Sequence, residues 1–213
     1  TLQGNFDQYK IVTMGPPSSG GVHIIQMLNI LENYDLVMMG HNSPTYTALL
    51  TESMKYAYAD RSKYLGDPDF FNVPVQSLIS KEYAEKIHNK IKLNSITPSD
   101  KVLPGSELKH ESLDTTHFSV ADKDGNIVSN TYTLNSGFGS GVIVDGTGIL
   151  MNNEMDDFVS APGVPNQFGL IGGEANKIEP FKRPLSSMTP TIVLKDGKPI
   201  YATGSPGGSR IIT

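Results

Sequence analysis

The sequence predicts an α+β fold, with helices in its first half and short antiparallel strands in its second. Before residue 93, apolar residues recur at helical spacing in three segments. From Thr115 onward, short alternating runs are separated by Asp-Gly pairs at 124–125, 145–146 and 196–197, which is typical of hairpins. At 213 residues, the chain is long enough to bury one sizeable core.

Three helices are predicted in the first half. The first occupies residues 20–33, after a turn rich in proline, serine and glycine. The second begins at Ser43, a favourable N-cap that is followed by a proline, and extends to about Asp60. The third begins at Ser80 and carries an apolar face. Residues 93–113 then lose this periodicity and predict an exposed, mobile connector.

The hairpin that starts at Thr115 can be predicted in more detail. Lys123, Asp124 and Gly125 suit a three-residue loop, in which a type I turn is followed by a glycine bulge. In that register Thr115 lies opposite Thr133, and a two-residue loop would instead shift the pairing by one and exchange the two faces. The odd positions form a mostly polar face (Thr115, His117, Ser119, Ser129, Thr131, Thr133, Asn135), and the even positions a mostly apolar one (Phe118, Val120, Val128, Tyr132, Leu134).

Composition argues against several functional classes. A net charge of -5 and a pI near 5.5 leave no basic surplus for binding nucleic acid. No apolar stretch approaches the roughly 20 residues needed to cross a bilayer, so no membrane partner is expected. The chain has no cysteine, and its five histidines lack metal-ligand spacing, so neither a metal site nor a cofactor is expected. His117 is interpreted as a packing or hydrogen-bonding residue.

A threonine can act as a nucleophile when its own α-amine serves as the base. A free α-amine titrates at roughly 7.7 to 8.0, so a useful fraction is unprotonated near neutral pH. This chemistry requires threonine to be the first residue of its chain. Thr115 follows Asp114, so the peptide bond between them must first be broken, by attack of the Thr115 hydroxyl on the Asp114 carbonyl.

Six ordered motifs point to a known family, and they lie at residues 16–21, 114–119, 131–135, 152–158, 183–188 and 204–210. Through them the sequence resembles bacterial members of the γ-glutamyltranspeptidase family, which are N-terminal-nucleophile hydrolases. Family members are much longer, so the chain is expected to be a central fragment. The resemblance implies a four-layer αββα sandwich, incomplete here, with Thr115 at the end of a central strand.

The resemblance also implies how the chain is divided. Residues 1–114 match the C-terminal part of a large subunit, and residues 115–213 match the N-terminal, catalytic part of a small subunit. Both come from one precursor by autocatalytic cleavage between Asp114 and Thr115. Together they are expected to form one structural domain.

Roles for individual residues follow from the same resemblance. Thr115 matches the nucleophile that takes up the γ-glutamyl group, and Thr133 matches a residue that supports its amine. Gly207 and Gly208 match the backbone donors of the oxyanion hole, where two N–H groups face one developing negative charge. The matched substrate-binding residues are Asn135, Glu154 and Asp157 for the α-amino group, and Ser186 and Ser187 for the α-carboxylate.

Two departures from the family pattern concern the substrate pocket. Phe168 stands in the covering loop, or lid, where many bacterial members have tyrosine, so the hydroxyl contact is lost. The family arginine that pairs with the α-carboxylate belongs to the missing N-terminal portion. Arg61 is the only arginine before Thr115, and no sequence motif marks it as a substitute.

The implied activity is transfer and hydrolysis of γ-glutamyl groups from glutathione, glutamine and similar compounds. The acceptor is water, an amino acid or a peptide, and the family works in the periplasm or outside the cell. Two alternatives remain open. One is a glutaryl-type acylase of the same superfamily, whose substrates lack the α-amino group. The other is an inactive fragment that does not process itself.

Overall fold

The computed structural model describes residues 1–102, 115–161, 163–208 and 211–212. The helices are α1 (Gly20–Leu31), α2 (Leu36–Met39), α3 (Pro44–Tyr64), α4 (Val75–Leu78), α5 (Lys81–His88) and α6 (Ser99–Val102). The strands are β1 (Leu2–Phe6), β2 (Tyr9–Thr13), β3 (Thr115–Ala121), β4 (Ile127–Thr133), β5 (Ile143–Val144), β6 (Ile149–Leu150), β7 (Thr191–Lys195) and β8 (Lys198–Thr203). This content confirms the α+β class. Asp114 and most of the predicted connector at 93–113 lie outside the described residues.

The three predicted helices are confirmed as α1, α3 and α5. The hydroxyl oxygen of Ser43 accepts a hydrogen bond from the Tyr46 N–H at 3.1 Å, and Ser80 caps α5 in the same way. Helix α3 continues four residues beyond Asp60, its predicted end. The apolar pattern stops there because the next core-facing positions, Asp60 and Arg61, are charged residues that the fold nevertheless buries.

The prediction of a purely helical first half is wrong, because β1 and β2 form a hairpin there. β2 pairs with β7, and the result is an antiparallel sheet in the order β1-β2-β7-β8. Gly4 weakens the strand pattern of β1 in the sequence. Its lack of a side chain is required by packing, since a Cβ at that position would lie 2.7 Å from Ile25 of α1. This sheet combines residues from both halves of the chain.

Hydrophobic packing centres on α1, which lies between the four-stranded sheet and helices α3 and α5. Val22 and Ile30 of α1 are fully buried, as is Leu49 of α3. Ile30 and Leu49 pack together with Ile87 of α5 in one cluster. This helical layer gives α3 a fixed position, and α3 carries Arg61 into the region described below.

The register of the β3–β4 hairpin is confirmed residue by residue. Thr115 pairs with Thr133, and Gly125 in the turn has a φ of 86°, as a glycine bulge requires. The polar face is half-buried, and its Ser129 hydroxyl donates to the carbonyl of Thr203 in β8 at 3.0 Å. The apolar face is exposed, with 46% of Phe118 and 56% of Tyr132 accessible to solvent.

The described elements form three stacked layers. Helix α1 covers the face of the sheet that carries Gly4, whereas Ser129 lies beside Val12 and Ile192 on the opposite face. The order is therefore helices, four-stranded sheet and β3–β4 hairpin. The division at Asp114 and Thr115 into two subunit parts stays a prediction.

A buried carboxylate joins the end of α3 to the second half of the chain. Asp67, fully buried, accepts hydrogen bonds from the backbone N–H of Arg183 at 2.9 Å and from its guanidinium at 2.9 and 2.6 Å. These bonds from Arg183 lower the pKa of Asp67 to about 2, although burial opposes the shift. Because Arg183 directly precedes the segment that contains Ser186 and Ser187, the contact fixes where that segment begins.

We expect Asp67→Asn to destabilise the complete protein by about 1–3 kcal/mol at neutral pH, because the fully buried side chain would lose its charge and one acceptor oxygen and would place an NH2 group against the donors of Arg183. Since the folded pKa of Asp67 is lowered, its stabilisation is present above the ordinary carboxyl pKa and is lost as the pH falls towards about 2. Urea denaturation at neutral and acidic pH measures both effects.

Asp69→Asn is the matched control, because Asp69 bonds the same guanidinium but is 72% exposed. Its effect should stay below about 1 kcal/mol. Equal destabilisation by the two variants would contradict the special role of the buried carboxylate.

Candidate active site

Two threonine hydroxyls meet at the open end of the β3–β4 hairpin. Thr115 begins β3, and its Oγ1 lies 3.5 Å from Oγ1 of Thr133 across the strand pair. The hydroxyl of Thr133 also accepts a hydrogen bond from the backbone N–H of Asn135 at 2.9 Å. The predicted nucleophile and its predicted supporting residue are therefore in contact, as the hairpin register requires.

The loop that follows β8 reaches the polar face of the same hairpin. The His117 ring packs against Gly204, where a Cβ would lie 2.3 Å from the ring. Its Nδ1 is 2.7 Å from Thr131 Oγ1, and its Nε2 is 3.1 Å from Ser119 Oγ. The interpretation of His117 as a packing and hydrogen-bonding residue is confirmed.

Gly207 and Gly208 continue this loop with a backbone conformation that favours glycine. Their φ angles are 119° and 55°, both in the left-handed region. Successive glycines in such a conformation can direct neighbouring N–H groups towards one point. The chain thus brings a candidate oxyanion loop to the layer that carries Thr115.

Asn153, which the sequence analysis did not single out, connects Asn135 to the acidic segment. The Asn135 side-chain amide donates to the carbonyl of Asn153 at 3.1 Å. The side chain of Asn153 in turn accepts from the N–H of Ser136 at 3.0 Å and donates to its hydroxyl at 3.0 Å. Asn153 belongs to the motif at 152–158 and directly precedes Glu154, and this position is the sequence signal that could have identified it.

Glu154 and Asp157 form a carboxyl pair in a 3-10 helix, Glu154–Asp157, and their charges affect each other. Burial raises the pKa of Asp157, the negative charge of Glu154 raises it further, and the positive charge of Arg61 opposes both. Burial also raises the pKa of Glu154. Because the negative charges of the two carboxyls oppose each other, the pair favours a state in which one carboxyl keeps its proton. An ammonium ion placed here would replace that proton.

The segment with Ser186 and Ser187 is held by the turn that precedes α1. The N–H of Ser186 donates to the carbonyl of Pro17 at 2.9 Å, and its carbonyl accepts from the N–H of Ser19 at 2.8 Å. The Ser18 hydroxyl donates to the carbonyl of Met188 at 2.7 Å. The motif at residues 16–21 thus fixes the serine pair.

Arg61 of α3 lies beneath this segment and is 5% exposed. Its Nε donates to Ser19 Oγ at 3.2 Å, and its Nη2 donates to Ser187 Oγ at 3.2 Å. Arg61 and Asp157 also line the same small pocket. No signal in the sequence marks Arg61, because Ser187, which it contacts, is 126 positions away along the chain.

Phe168 is buried, with 3% of its surface exposed. The side chain of Asn166 closes its turn by accepting from the N–H groups of Phe168 and Leu170 at 3.0 Å each. The N–H of Gln167 donates to the Asp156 carboxylate at 3.1 Å, which attaches the turn beside the acidic pair. A covering role for Phe168 stays a prediction.

Two wider searches give negative results for the described residues. They contain no group of three or more acidic or histidine side chains that could hold a metal ion. None of the helices in the described part of the chain is long and apolar enough to cross a membrane.

The contact between His117 and Gly204 leads to a stability prediction. Gly204→Ala should destabilise the complete protein by about 1–3 kcal/mol, because the new methyl group displaces the ring and separates the hairpin from β8. Gly15→Ala is the control, since its Cβ would meet nothing closer than 3.7 Å. Thermal melting compares the two variants, and equal midpoints would contradict the packing described here.

Known proteins are similar to the chain along its whole length. The family model described as Gamma-glutamyltranspeptidase matches residues 1–213. The chain is 56% identical over 212 residues to the Glutathione hydrolase proenzyme of Escherichia coli (strain K12), covering 100% of the chain and 37% of that relative. It is 42% identical over 210 residues to the Acylase ACY 1 proenzyme of Pseudomonas sp. (strain SE83), covering 99% of the chain and 35% of that relative.

A solved structure extends the comparison to the fold. The cephalosporin acylase from Bacillus halodurans superposes with a TM-score of 0.75 at 28% identity, over 95% of this chain and 33% of its own. Together with the three layers, this likeness confirms an incomplete N-terminal-nucleophile hydrolase sandwich. The chain spans about a third of the length of these proteins.

Proposed function

The chain belongs to the gamma-glutamyltranspeptidase family, and from this premise we propose that the complete protein is a γ-glutamyltransferase and glutathione hydrolase. Its donors are glutathione, glutamine and similar γ-glutamyl compounds, and its acceptors are water, amino acids and peptides. The observation that carries the proposal is the contact of Thr115 with Thr133 at the start of β3. It is the arrangement that a threonine nucleophile with a supported α-amine needs.

The reaction begins with cleavage between Asp114 and Thr115, which yields a large and a small subunit from one precursor. The freed α-amine of Thr115 then takes the proton of its own hydroxyl, and the hydroxyl oxygen attacks the γ-carbonyl of the donor. The N–H groups of Gly207 and Gly208 stabilise the negative oxygen of the tetrahedral intermediate. Loss of the amine product leaves a γ-glutamyl ester on Thr115, which water or an acceptor amine resolves.

The α-carbon of the donor carries opposite charges, and the site offers a matching group for each. Asn135, Glu154 and Asp157 receive the α-ammonium, whose three N–H groups need acceptors. Ser186 and Ser187 donate to the α-carboxylate. Phe168 closes the pocket, and we place the working enzyme in the periplasm or outside the cell.

A glutaryl-type acylase is the second candidate, and one specific observation favours it. The acylase proenzyme from Pseudomonas is 42% identical over nearly the whole chain, so the shared fold does not exclude this activity. The acidic pair argues for the first candidate, because a glutaryl group brings no ammonium to two partly buried carboxyls. An inactive chain that does not process itself is the third possibility.

We expect Thr115→Ala in the complete protein to abolish both self-cleavage and the release of nitroaniline from γ-glutamyl-p-nitroanilide. The reason is that one hydroxyl is the proposed nucleophile of both reactions. Gel electrophoresis and absorbance measure the two outcomes. Thr116→Ala is the control, because Thr116 is exposed on the opposite face of the same strand and should keep both activities. Normal cleavage in Thr115→Ala would refute the proposal.

The raised pKa of the acidic pair predicts how activity depends on pH. Because both carboxyls bind the ammonium best when ionised, kcat/KM for the γ-glutamyl anilide should fall on the acid side at a pH above the ordinary carboxyl pKa of about 4. Glu154→Gln removes the negative charge that raises the pKa of Asp157, so this acid limb should move to lower pH.

The matching control is a substrate rather than a variant. A glutaryl anilide has no α-ammonium, so Glu154→Gln should leave its acid limb where it is in the wild-type protein. Measurement of kcat/KM against pH with both anilides, for the wild-type protein and for Glu154→Gln, tests this expectation. An identical displacement for the two substrates would assign the limb to another group, such as the Thr115 amine.

A further inference from the structure

Arg61 has an environment that calls for an explanation beyond helix packing. Its guanidinium is buried, and a buried charge is costly unless donors are matched with acceptors. Two of those acceptors are the hydroxyls of Ser19 and Ser187, both at 3.2 Å. Ser19 connects Arg61 to Ser186, because its hydroxyl donates to the carbonyl of Ser186 at 3.0 Å. One arginine therefore holds both members of the serine pair.

The bond to Ser187 determines where that hydroxyl can donate. A serine hydroxyl has one hydrogen and two lone pairs, and Arg61 occupies a lone pair. The hydrogen must then be directed away from the guanidinium. Among the described residues, Ser187 Oγ makes no other hydrogen bond, so its hydrogen is available to an acceptor from outside the chain.

Charge adds a second argument. Arg61 and Asp157 line the same pocket, and the positive charge of Arg61 favours the ionised form of Asp157. The guanidinium is thus a neighbour both of a group expected to bind an ammonium and of a group expected to bind a carboxylate. A donor whose α-carbon carries both charges fits this sequence of acidic, basic and hydroxyl groups.

We infer that Arg61 is a positioning residue that makes the site specific for donors with an α-carboxylate, by directing the Ser187 hydroxyl towards it. The inference rests on the proposed function and deepens it. It assigns a part of carboxylate recognition to a residue of helix α3 that touches the serine and not the substrate.

Three anilides test this inference in the complete, processed protein. γ-Glutamyl-p-nitroanilide carries both the α-ammonium and the α-carboxylate, glutaryl-p-nitroanilide keeps the carboxylate only, and 4-aminobutyryl-p-nitroanilide keeps the ammonium only. Arg61→Gln should lower kcat/KM at least about tenfold for the two carboxylate-bearing substrates, mainly through KM. The change for the 4-aminobutyryl substrate should stay within about threefold.

Two further variants sharpen the result. Arg61→Lys keeps the charge but replaces the two nitrogens that reach Ser19 and Ser187 by a single ammonium nitrogen, so it should recover only part of the loss. Lys63→Gln removes an exposed positive charge from the same helix and should resemble the wild-type protein with all three substrates.

Each outcome has one meaning. An equal loss on all three substrates would show that Arg61 is merely structural and would overturn the inference, as would full activity of Arg61→Lys. If Arg61→Gln does not fold or process, the substrate pattern of Arg61→Lys decides in the same way. A wild-type protein that releases nitroaniline from none of the three would refute the proposed function itself.

Discussion

The pairing register of the β3–β4 hairpin is the constraint on which the arrangement of the site depends. Side chains alternate along a strand, so a shift by one residue would turn Thr115 and Thr133 to the exposed face. The three-residue turn at 123–125 prevents that shift. With the register fixed, the polar face meets β8, and Gly204 provides the space that the His117 ring fills. The strand that carries the proposed nucleophile is thereby packed against the loop that begins at Gly204.

The second constraint is electrostatic, because the acidic pair on one side of the site is partly buried and Arg61 on the other side is buried. Burial raises the pKa values of Glu154 and Asp157, and a buried guanidinium lies near them. Hydrogen bonds between neighbouring residues hold the segments that carry these charged groups in place. Asn153 holds Asn135 beside the acidic segment, and Ser18 and Ser19 hold the serine segment above Arg61. A polar site of this kind is positioned before a substrate arrives.

Local signals in the sequence were sufficient for part of this structure. The caps at Ser43 and Ser80 and the Asp-Gly turns predicted helices and hairpins correctly, because each acts over a few residues. The N-terminal hairpin was missed, since Gly4 serves packing against Ile25 and interrupts the strand pattern.

Local sequence signals do not predict contacts between residues that are far apart along the chain. Arg61 and Ser187 meet only because α1 is packed between the sheet and α3, and no periodic pattern encodes that distance. The same limit applies to Asn153, whose two links to Ser136 need the folded loop. Motifs identified the residue types of the site, whereas tertiary packing determined which of them touch.

The choice between a γ-glutamyl and a glutaryl donor therefore depends on the polar groups and not on the fold, which acylases share. A glutaryl group has one charge at the end distant from the scissile bond, and a γ-glutamyl group has two opposite charges on one carbon. Holding two carboxyls near each other in a partly buried site has a free-energy cost, and the raised pKa values of both groups are in the direction that this cost predicts. An ammonium removes that cost by replacing the retained proton. Binding a glutaryl group would leave the cost in place, so the acidic pair favours the γ-glutamyl donor.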